Sequence, residues 1–295
     1  MPDPSVGFVG LGTMGFPMAL NLHKAGLLAA VWNRSPDKAA DFSDRTGCTA
    51  CSDPASVAHL SEIIVLCVSG DGDVLEVIDQ LAPHLADNAL IIDCSTVSAS
   101  TAQQAAERLS EKGARFIDCP VSGGTEGAWN GTLSLMMGGD AVDIERARPV
   151  LEAIGATISH MGPVGAGQAT KATNQIMVAG INQAVSEAMA FGQAHGLQIE
   201  TMIGALEGGA AANWFLSHRG PNMANGEFPL GFKVALHAKD LRICRDMAAS
   251  YDVRLPIVEM TLLHYKKMLQ DNDDEEDISS LFRLKSALFA EADKE

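Results

Sequence analysis

The sequence predicts an α/β domain of Rossmann type followed by an all-α domain, with one long helix joining them. Three observations predict it. Short apolar runs alternate with helix-period segments through the first half of the chain, a glycine-rich turn stands between the first run and the first helix, and from Gln168 onward almost every segment carries the helical period. At 295 residues the chain can form two ordinary domains. The change of texture puts their boundary near residue 163, with 1–163 binding a dinucleotide and 164–295 forming the helical domain.

The first element is "VGFVG", Val6 to Gly10, a continuous apolar run that reads as a buried strand. "MGFPMALNLHKAG" follows as a helix ending at Gly26. "AAVWN", Ala29 to Asn33, is the second strand, and the helix after it opens with Ser35 as N-cap and Pro36 at its first position. "EIIVLCV" (Glu62 to Val68), "ALIIDCS" (Ala89 to Ser95), "RFIDCPV" (Arg115 to Val121), "TLSLMMGG" (Thr132 to Gly139) and "TISHMG" (Thr157 to Gly162) continue the series. Strands that are apolar throughout and separated by helices belong to a parallel sheet covered on both faces. After Gly165 a single helical pattern runs to about His195, and most of the remaining segments read as helices.

Composition narrows the function. Hydrophobic residues make up 47% of the chain, so a packed core is expected. A net charge of −16 with no long Lys/Arg run excludes a nucleic-acid-binding face and suits a cytoplasmic protein. No run of about 18 uncharged apolar residues occurs and no charged-then-apolar leader opens the chain, so neither a membrane partner nor a signal peptide is expected. Of the six cysteines several lie in apolar strand-like runs, which predicts buried reduced thiols. Cys48 and Cys51 form a C-x-x-C outside a thioredoxin-like context, a weak redox or metal signal. The acidic run Asp271 to Asp277 lacks the alternation, glycine and closing glutamate of an EF-hand and reads as a solvated loop between two helices. No metal is expected.

The segment Gly10-Leu11-Gly12-Thr13-Met14-Gly15 holds G-x-G-x-x-G between a strand and a helix. The first glycine permits the turn, the second lets the backbone approach a pyrophosphate, and the third lets helix and strand pack closely. The second strand ends Asn33-Arg34-Ser35 where an NAD-binding protein would carry a carboxylate. Asn can donate to a 2′-phosphate and Arg adds a charge-assisted fork, so NADP(H) is expected ahead of NAD(H), with NAD(H) the alternative. Against this stands Arg34 as a plain solvated helix-start residue.

Two further segments carry chemistry. Ser122 supplies a hydroxyl, while Gly123 and Gly124 leave N–H groups unshielded, as a carboxylate-binding loop needs; on spacing alone an ordinary turn reads equally well. In "GAGQATKATNQ" Lys171, Asn174 and Gln175 stand at i, i+3 and i+4, on one helix face. A partly buried lysine can trade a proton, which an arginine cannot. By itself, a lysine in the first turns of a helix also reads as a solvated side chain.

"GFVGLGTMGFPMALNLHKAG", "DCPVSGGTEGAWNGTLSLMMGGD", "GAGQATKATNQ" and "GFKVALHAKDL" come in the order and spacing of the β-hydroxyacid dehydrogenase family, which the chain resembles over nearly its whole length. That family includes 3-hydroxyisobutyrate dehydrogenases, tartronate semialdehyde (2-hydroxy-3-oxopropionate) reductases and succinic or glyoxylic semialdehyde reductases, and is related to 6-phosphogluconate dehydrogenase. The resemblance implies hydride transfer between a nicotinamide cofactor and a small carboxylated semialdehyde or 3-hydroxy acid, in a homodimer or homotetramer. It implies Lys171 as the catalytic lysine, Ser122, Gly123 and Gly124 as the substrate-carboxylate loop, and Asn174 and Gln175 as the amide pair beside the lysine. Thr96 is then near the nicotinamide, and Lys239 is a cofactor- or substrate-side lysine supported by Asp240. Relatives often carry Leu-Pro after the fourth strand, where this chain has Val68-Ser69-Gly70; Cys67 and Val68 are placed on the cofactor side. Trp214 and Phe232 read as pocket walls or, equally, as core.

Asn174-Gln175 in place of Asn-Asn resembles the tartronate semialdehyde reductase branch, and "NRS" resembles the NADPH-using reductases. Imine reductases, similar in structure, typically lack the lysine. The alternatives are an NAD-dependent 3-hydroxyisobutyrate or serine-like dehydrogenase and, from another class, a non-enzymatic nucleotide-sensing protein that keeps the fold.

Overall fold

The computed structural model describes residues 4–270 and 275–292. It divides into two compact units, Met1–Lys171 and Ala172–Glu295. Among its described residues the first has nine strands: β1 (Val6–Val9), β2 (Leu28–Trp32), β3 (Thr49–Ala50), β4 (Ile63–Leu66), β5 (Leu90–Asp93), β6 (Arg115–Asp118), β7 (Val121–Ser122), β8 (Leu133–Gly138) and β9 (Gly155–Gly162). Seven helices connect them: α1 (Gly15–Lys24), α2 (Pro36–Thr46), α3 (Pro54–Leu60), α4 (Asp71–Leu81), α5 (Ala99–Ser110), α6 (Gly124–Asn130) and α7 (Ala141–Ile154).

The sheet order is β3-β2-β1-β4-β5-β6-β8-β7, with β9 also on β8. From β3 to β6 every pairing is parallel. Apolar residues alternate between two cores. Phe8, Ile63, Val65, Leu90 and Ile92 face α1, α2 and α7, whereas Val9, Ile64, Leu66 and Ile91 face α3, α4 and α5. Because both faces are covered, these strands read as unbroken apolar runs. The chain order reverses between β1 and β4, and the carboxyl ends at that point are where a doubly wound sheet binds ligands.

Beyond β6 the sheet departs from the all-parallel expectation, because β8 runs antiparallel to both β6 and β7. "RFIDCPV" is two strands rather than one. Pro120 has no N–H to donate, so the ladder stops at Asp118 and resumes at Val121. The two-residue β3 is an addition to the strands read from sequence.

Helix α8 (Ala166–Ala194) spans 29 residues, starting in the first unit and continuing into the second. The second unit adds α9 (Ile199–Glu207), α10 (Trp214–Ala224), α11 (Val234–Ala249), α12 (Pro256–Gln270) and α13 (Leu281–Ala292). Its core is formed by Ala179, Met189, Phe215, Leu241, Tyr265 and their neighbours. No helix among the described residues is long and apolar enough to cross a membrane.

Of the acidic run, Asp271 to Asp274 lie outside the described residues. Asp277 is fully buried, which corrects its reading as solvated. Its carboxylate accepts from the N–H groups of Gly231, Phe232 and Ser279, so it is an internal cap rather than a surface charge.

Candidate active site

The glycine loop between β1 and α1 is shaped by contacts at two of its three glycines. Gly10 has φ +102°, and a Cβ there would lie 2.2 Å from the Cys67 carbonyl oxygen. A Cβ on Gly15 would lie 1.9 Å from the Gly10 oxygen. Gly12 differs, because a Cβ there would meet nothing within 4 Å. Nothing in the protein itself excludes a side chain at Gly12, and the open space is where a phosphate would approach the backbone. Among the described residues the N–H groups of Gly12, Thr13 and Met14 take no partner, and they cluster at the N-terminus of α1. A loop of free donors on a helix N-terminus fits a pyrophosphate.

At the end of β2, Asn33 Oδ1 accepts from the Leu11 N–H (2.8 Å), and Asn33 Nδ2 donates to the Ser35 carbonyl (3.0 Å). Asn33 therefore ties the glycine loop to the second strand. Arg34 and Ser35 are exposed, and Arg34 pairs with Asp73 of α4 at 2.6 Å. The next strand ends are stitched in turn. Cys67 and Val68 follow β4, and the Val68 N–H donates to Ser95 Oγ (2.9 Å) in the loop after β5. Thr96, half-buried, stands in that loop.

After β6 the chain turns through Ser122, Gly123 and Gly124 into α6. Gly123 and Gly124 have φ of +129° and +63°, conformations open to glycine, and both are exposed. Lys171 is buried, with 8% of its surface exposed, and its Nζ donates to the Val121 carbonyl at 2.9 Å. The first unit thus brings the glycine loop, Thr96, the Ser122–Gly124 turn and Lys171 to the carboxyl ends of β1, β4, β5 and β6 with its neighbouring turn.

Sequence reasoning missed two residues here. Asp118, the last residue of β6, is buried, and its carboxylate accepts from the N–H groups of Gly165 (2.7 Å) and Gln168 (2.9 Å) at the start of α8. Burial pushes its carboxyl above the usual range, and the N–H bonds oppose that. Gln168 is buried as well, donating to the Ser95 carbonyl and accepting from the Val97 N–H. The signal for Asp118 was available: an acid inside "FIDCPV" must be satisfied by something.

The second unit holds the other candidates. Asn174 Nδ2 donates to Gln175 Oε1 (2.8 Å), and Gln175 Nε2 donates to Asp240 Oδ2 (2.7 Å). Lys239 Nζ lies 3.0 Å from Asp240 Oδ1. His237 bonds the Gln175 carbonyl and the Tyr265 hydroxyl, so the buried amide belongs to a polar network running through α8, α11 and α12. Burial pushes the Tyr265 hydroxyl well above its ordinary range. Phe232 is half-buried, with its N–H on Asp277 and its ring 5.2 Å from that of His237. Trp214 is 60% exposed and stacks on His218 at 4.3 Å, so it is not a core residue.

All six cysteines, each among the described residues, are reduced thiols. Burial pushes Cys48 up to about 11 and also raises Cys51. Among the described residues no group of three or more His, Cys, Asp or Glu side chains is placed to hold a metal ion.

Comparison with known proteins agrees with the fold. Residues 5–162 match the family model for the NAD binding domain of 6-phosphogluconate dehydrogenase. Residues 165–285 match the model for NAD-binding of NADP-dependent 3-hydroxyisobutyrate dehydrogenase. The chain is 37% identical to the 2-hydroxy-3-oxopropionate reductase of Escherichia coli, covering 85% of this chain and 86% of that protein. It is 33% identical to the NAD-dependent L-serine dehydrogenase of Pseudomonas aeruginosa, covering 95% and 97%. The solved structure of Mycobacterium tuberculosis 3-hydroxyisobutyrate dehydrogenase with L-serine superposes with a TM-score of 0.90 at 28% identity, covering 96% of this chain and 99% of that one.

Proposed function

The chain belongs to the β-hydroxyacid dehydrogenase family and is a pyridine-nucleotide oxidoreductase acting on hydroxy acids, and from that premise we propose that it reduces a small carboxylated semialdehyde with NADPH as the preferred cofactor. The observation that carries the reading is Lys171, a buried amine whose Nζ sits on the Val121 carbonyl, one residue before the Ser122-Gly123-Gly124 turn. A proton donor thus sits against the backbone that leads into the two exposed glycines.

Gly10 to Gly15 would hold the pyrophosphate, Asn33, Arg34 and Ser35 the adenosine ribose, and Cys67, Val68, Thr96 and Lys239 the nicotinamide side. Once bound, the dihydronicotinamide supplies a hydride to the aldehyde carbon. Lys171 protonates the oxygen of that carbon and, in the oxidative direction, withdraws the proton. Ser122 Oγ and the N–H groups of Gly123 and Gly124 hold the substrate carboxylate, which fixes the reacting carbon relative to Lys171. The family resemblance assigns Asn174, whose Nδ2 donates to Gln175 Oε1, to the reacting oxygen, and Trp214 and Phe232 to the substrate.

NADP(H) preference is supported by the absence of an acid at Asn33-Arg34-Ser35. Arg34 is engaged by Asp73, but an exposed pair of this kind is worth only about 0–1 kcal/mol, and a dianionic 2′-phosphate outcompetes it. The likeness to an NAD-dependent L-serine dehydrogenase supports a second reading, the NAD-linked oxidation of a 3-hydroxy acid. The proposal extends to a cytoplasmic homodimer or homotetramer, for which light scattering in solution is the check.

The experiment is a panel of semialdehydes and 3-hydroxy acids assayed in both directions with both nucleotides, on wild type and Lys171→Ala. The variant should lose about 10²–10⁴-fold in kcat while still binding NADPH. Near-wild-type kcat in that variant would refute the assignment, and faster NAD-linked oxidation by wild type would favour the second reading.

A further inference from the structure

Gln168 lies one helical turn before Lys171 on the same face of α8, with 1% of its surface exposed. A buried carboxamide left unsatisfied costs about 1–3 kcal/mol, and here both ends are engaged. Nε2 donates to the Ser95 carbonyl at 2.8 Å and Oε1 accepts from the Val97 N–H at 3.2 Å. Those two main-chain groups flank Thr96, so the loop on the cofactor side is gripped from both sides of that residue.

The grip is itself anchored. The Gln168 N–H donates to Asp118 Oδ2 and the Gly165 N–H to Oδ1, which pins the first turn of α8 to the end of β6. Gly167 has no room for even a methyl group, with the Met136 oxygen 2.3 Å and the Asp118 oxygen 2.8 Å from a Cβ built there. The first turn of the helix therefore packs directly on that backbone. On the far side the Val68 N–H reaches Ser95 Oγ, so one continuous network runs from the β4 loop through Ser95 and Gln168 to the helix bearing Lys171.

We infer that Gln168 is a positioning residue, setting the separation between the Thr96 loop and Lys171 and so keeping the hydride side and the proton side of the reaction in register; this rests on the function proposed above. Glutamine suits the position because it alone among side chains of that length both donates to one backbone carbonyl and accepts from an adjacent N–H. A misplacement of about 1 Å in such a frame can cost on the order of 10²-fold in rate.

The test compares Gln168→Met, which keeps length and loses both hydrogen bonds, with Gln168→Glu, which keeps the acceptor for Val97 and loses the donor to Ser95. Gln168→Met should lower kcat about 10²-fold and Gln168→Glu about tenfold, with substrate KM and NADPH Kd within about threefold of wild type. With deuterium at the transferred position of the nicotinamide, the isotope effect on kcat should rise in both. In a Lys171→Met background, Gln168→Met should lower kcat less than about threefold further, because the group it positions is gone. Amide exchange at Val97 in nucleotide-free protein should accelerate at least tenfold in Gln168→Met.

A kcat within about threefold of wild type, or an undiminished loss in the Lys171→Met background, overturns the inference. Should Gln168→Met not fold, Gln168→Glu is held to the same threshold. A wild-type enzyme that turns over nothing in the panel would sink the functional reading instead, and Val97 exchange would still decide whether the clamp exists.

Discussion

Replacing Gly12 and Gly15 by alanine, one at a time, separates what the glycine loop does for the fold from what it does for the cofactor. At Gly15 the new methyl carbon would lie 1.9 Å from the Gly10 oxygen and 3.0 Å from its carbonyl carbon. Ordinary contact needs about 3.5 Å, so the overlap is roughly 1.5 Å against backbone that no rotamer change can relieve. Overpacking of this kind costs about 1–3 kcal/mol and occasionally more. An unrelievable clash with backbone belongs at the upper end, about 3 kcal/mol; in a domain of this size each kcal/mol moves Tm by about 2–4 °C, so Gly15→Ala should lose about 6–12 °C. At Gly12 the methyl group meets nothing within 4 Å and the backbone is not left-handed, so Tm should stay within about 2 °C of wild type. Its cost falls on the dinucleotide, because the methyl group occupies the space a phosphate would use. A penalty of about 1.4–2.8 kcal/mol raises the NADPH Kd by roughly tenfold to a hundredfold. Thermal unfolding and fluorescence titration with NADPH measure the two effects. Unchanged NADPH affinity in Gly12→Ala, or a Tm loss matching that of Gly15→Ala, would refute the assignment of this loop.

Three other outcomes are expected. Asp73→Ala releases Arg34 from its 2.6 Å pair and should raise the NADPH-over-NADH ratio of kcat/KM by up to about fivefold, while Arg34→Ala lowers it; an unchanged ratio in both removes Arg34 from cofactor selection. With iodoacetamide at pH 8, Cys48 should alkylate at least tenfold more slowly than a free cysteine, since a thiol held at about 11 is only about one part in a thousand thiolate at that pH; peptide mass spectrometry reads the rates, and a Cys48 that matches the free thiol contradicts its burial. Asp71 is pushed up by burial, but hydrogen bonds from Thr101 Oγ1 (2.6 Å) and the Ser98 N–H (2.9 Å) outweigh this and leave it below the usual carboxylate range. Its stabilisation is therefore fully present above the unfolded value of about 3.9 and is lost as pH falls through the lower folded value, so the Tm deficit of Asp71→Ala at pH 7 should shrink below pH 4; a deficit constant from pH 7 to 3 would count against it.

Much of the first unit was legible because its signals are local. β1, β2, β4 and β5 are four- or five-residue apolar runs, each covered on both faces, and the loop after β1 shows its three glycines in the open. Lys171 and its two amides could be placed on one face of α8 by counting. The errors fell where a long-range partner decides the outcome. "RFIDCPV" has the composition of one strand, yet the ladder breaks at a proline and its far half pairs antiparallel with β8. Asp277 closes an acidic run and reads as solvated, but four donors from Gly231, Phe232 and Ser279 bring it inside.

By itself, then, the sequence determined the class of fold, the dinucleotide loop and the lysine helix, because periodicity, glycine spacing and i, i+3, i+4 geometry act within a few residues. The tertiary structure decided what surrounds them. Gln168 meets Ser95 across 73 positions of sequence and Asp118 meets Gly165 across 47, and no local pattern encodes either meeting. They exist because β5 and β6 lie side by side in the sheet, and because a buried carboxylate or carboxamide must find donors and acceptors wherever the fold supplies them.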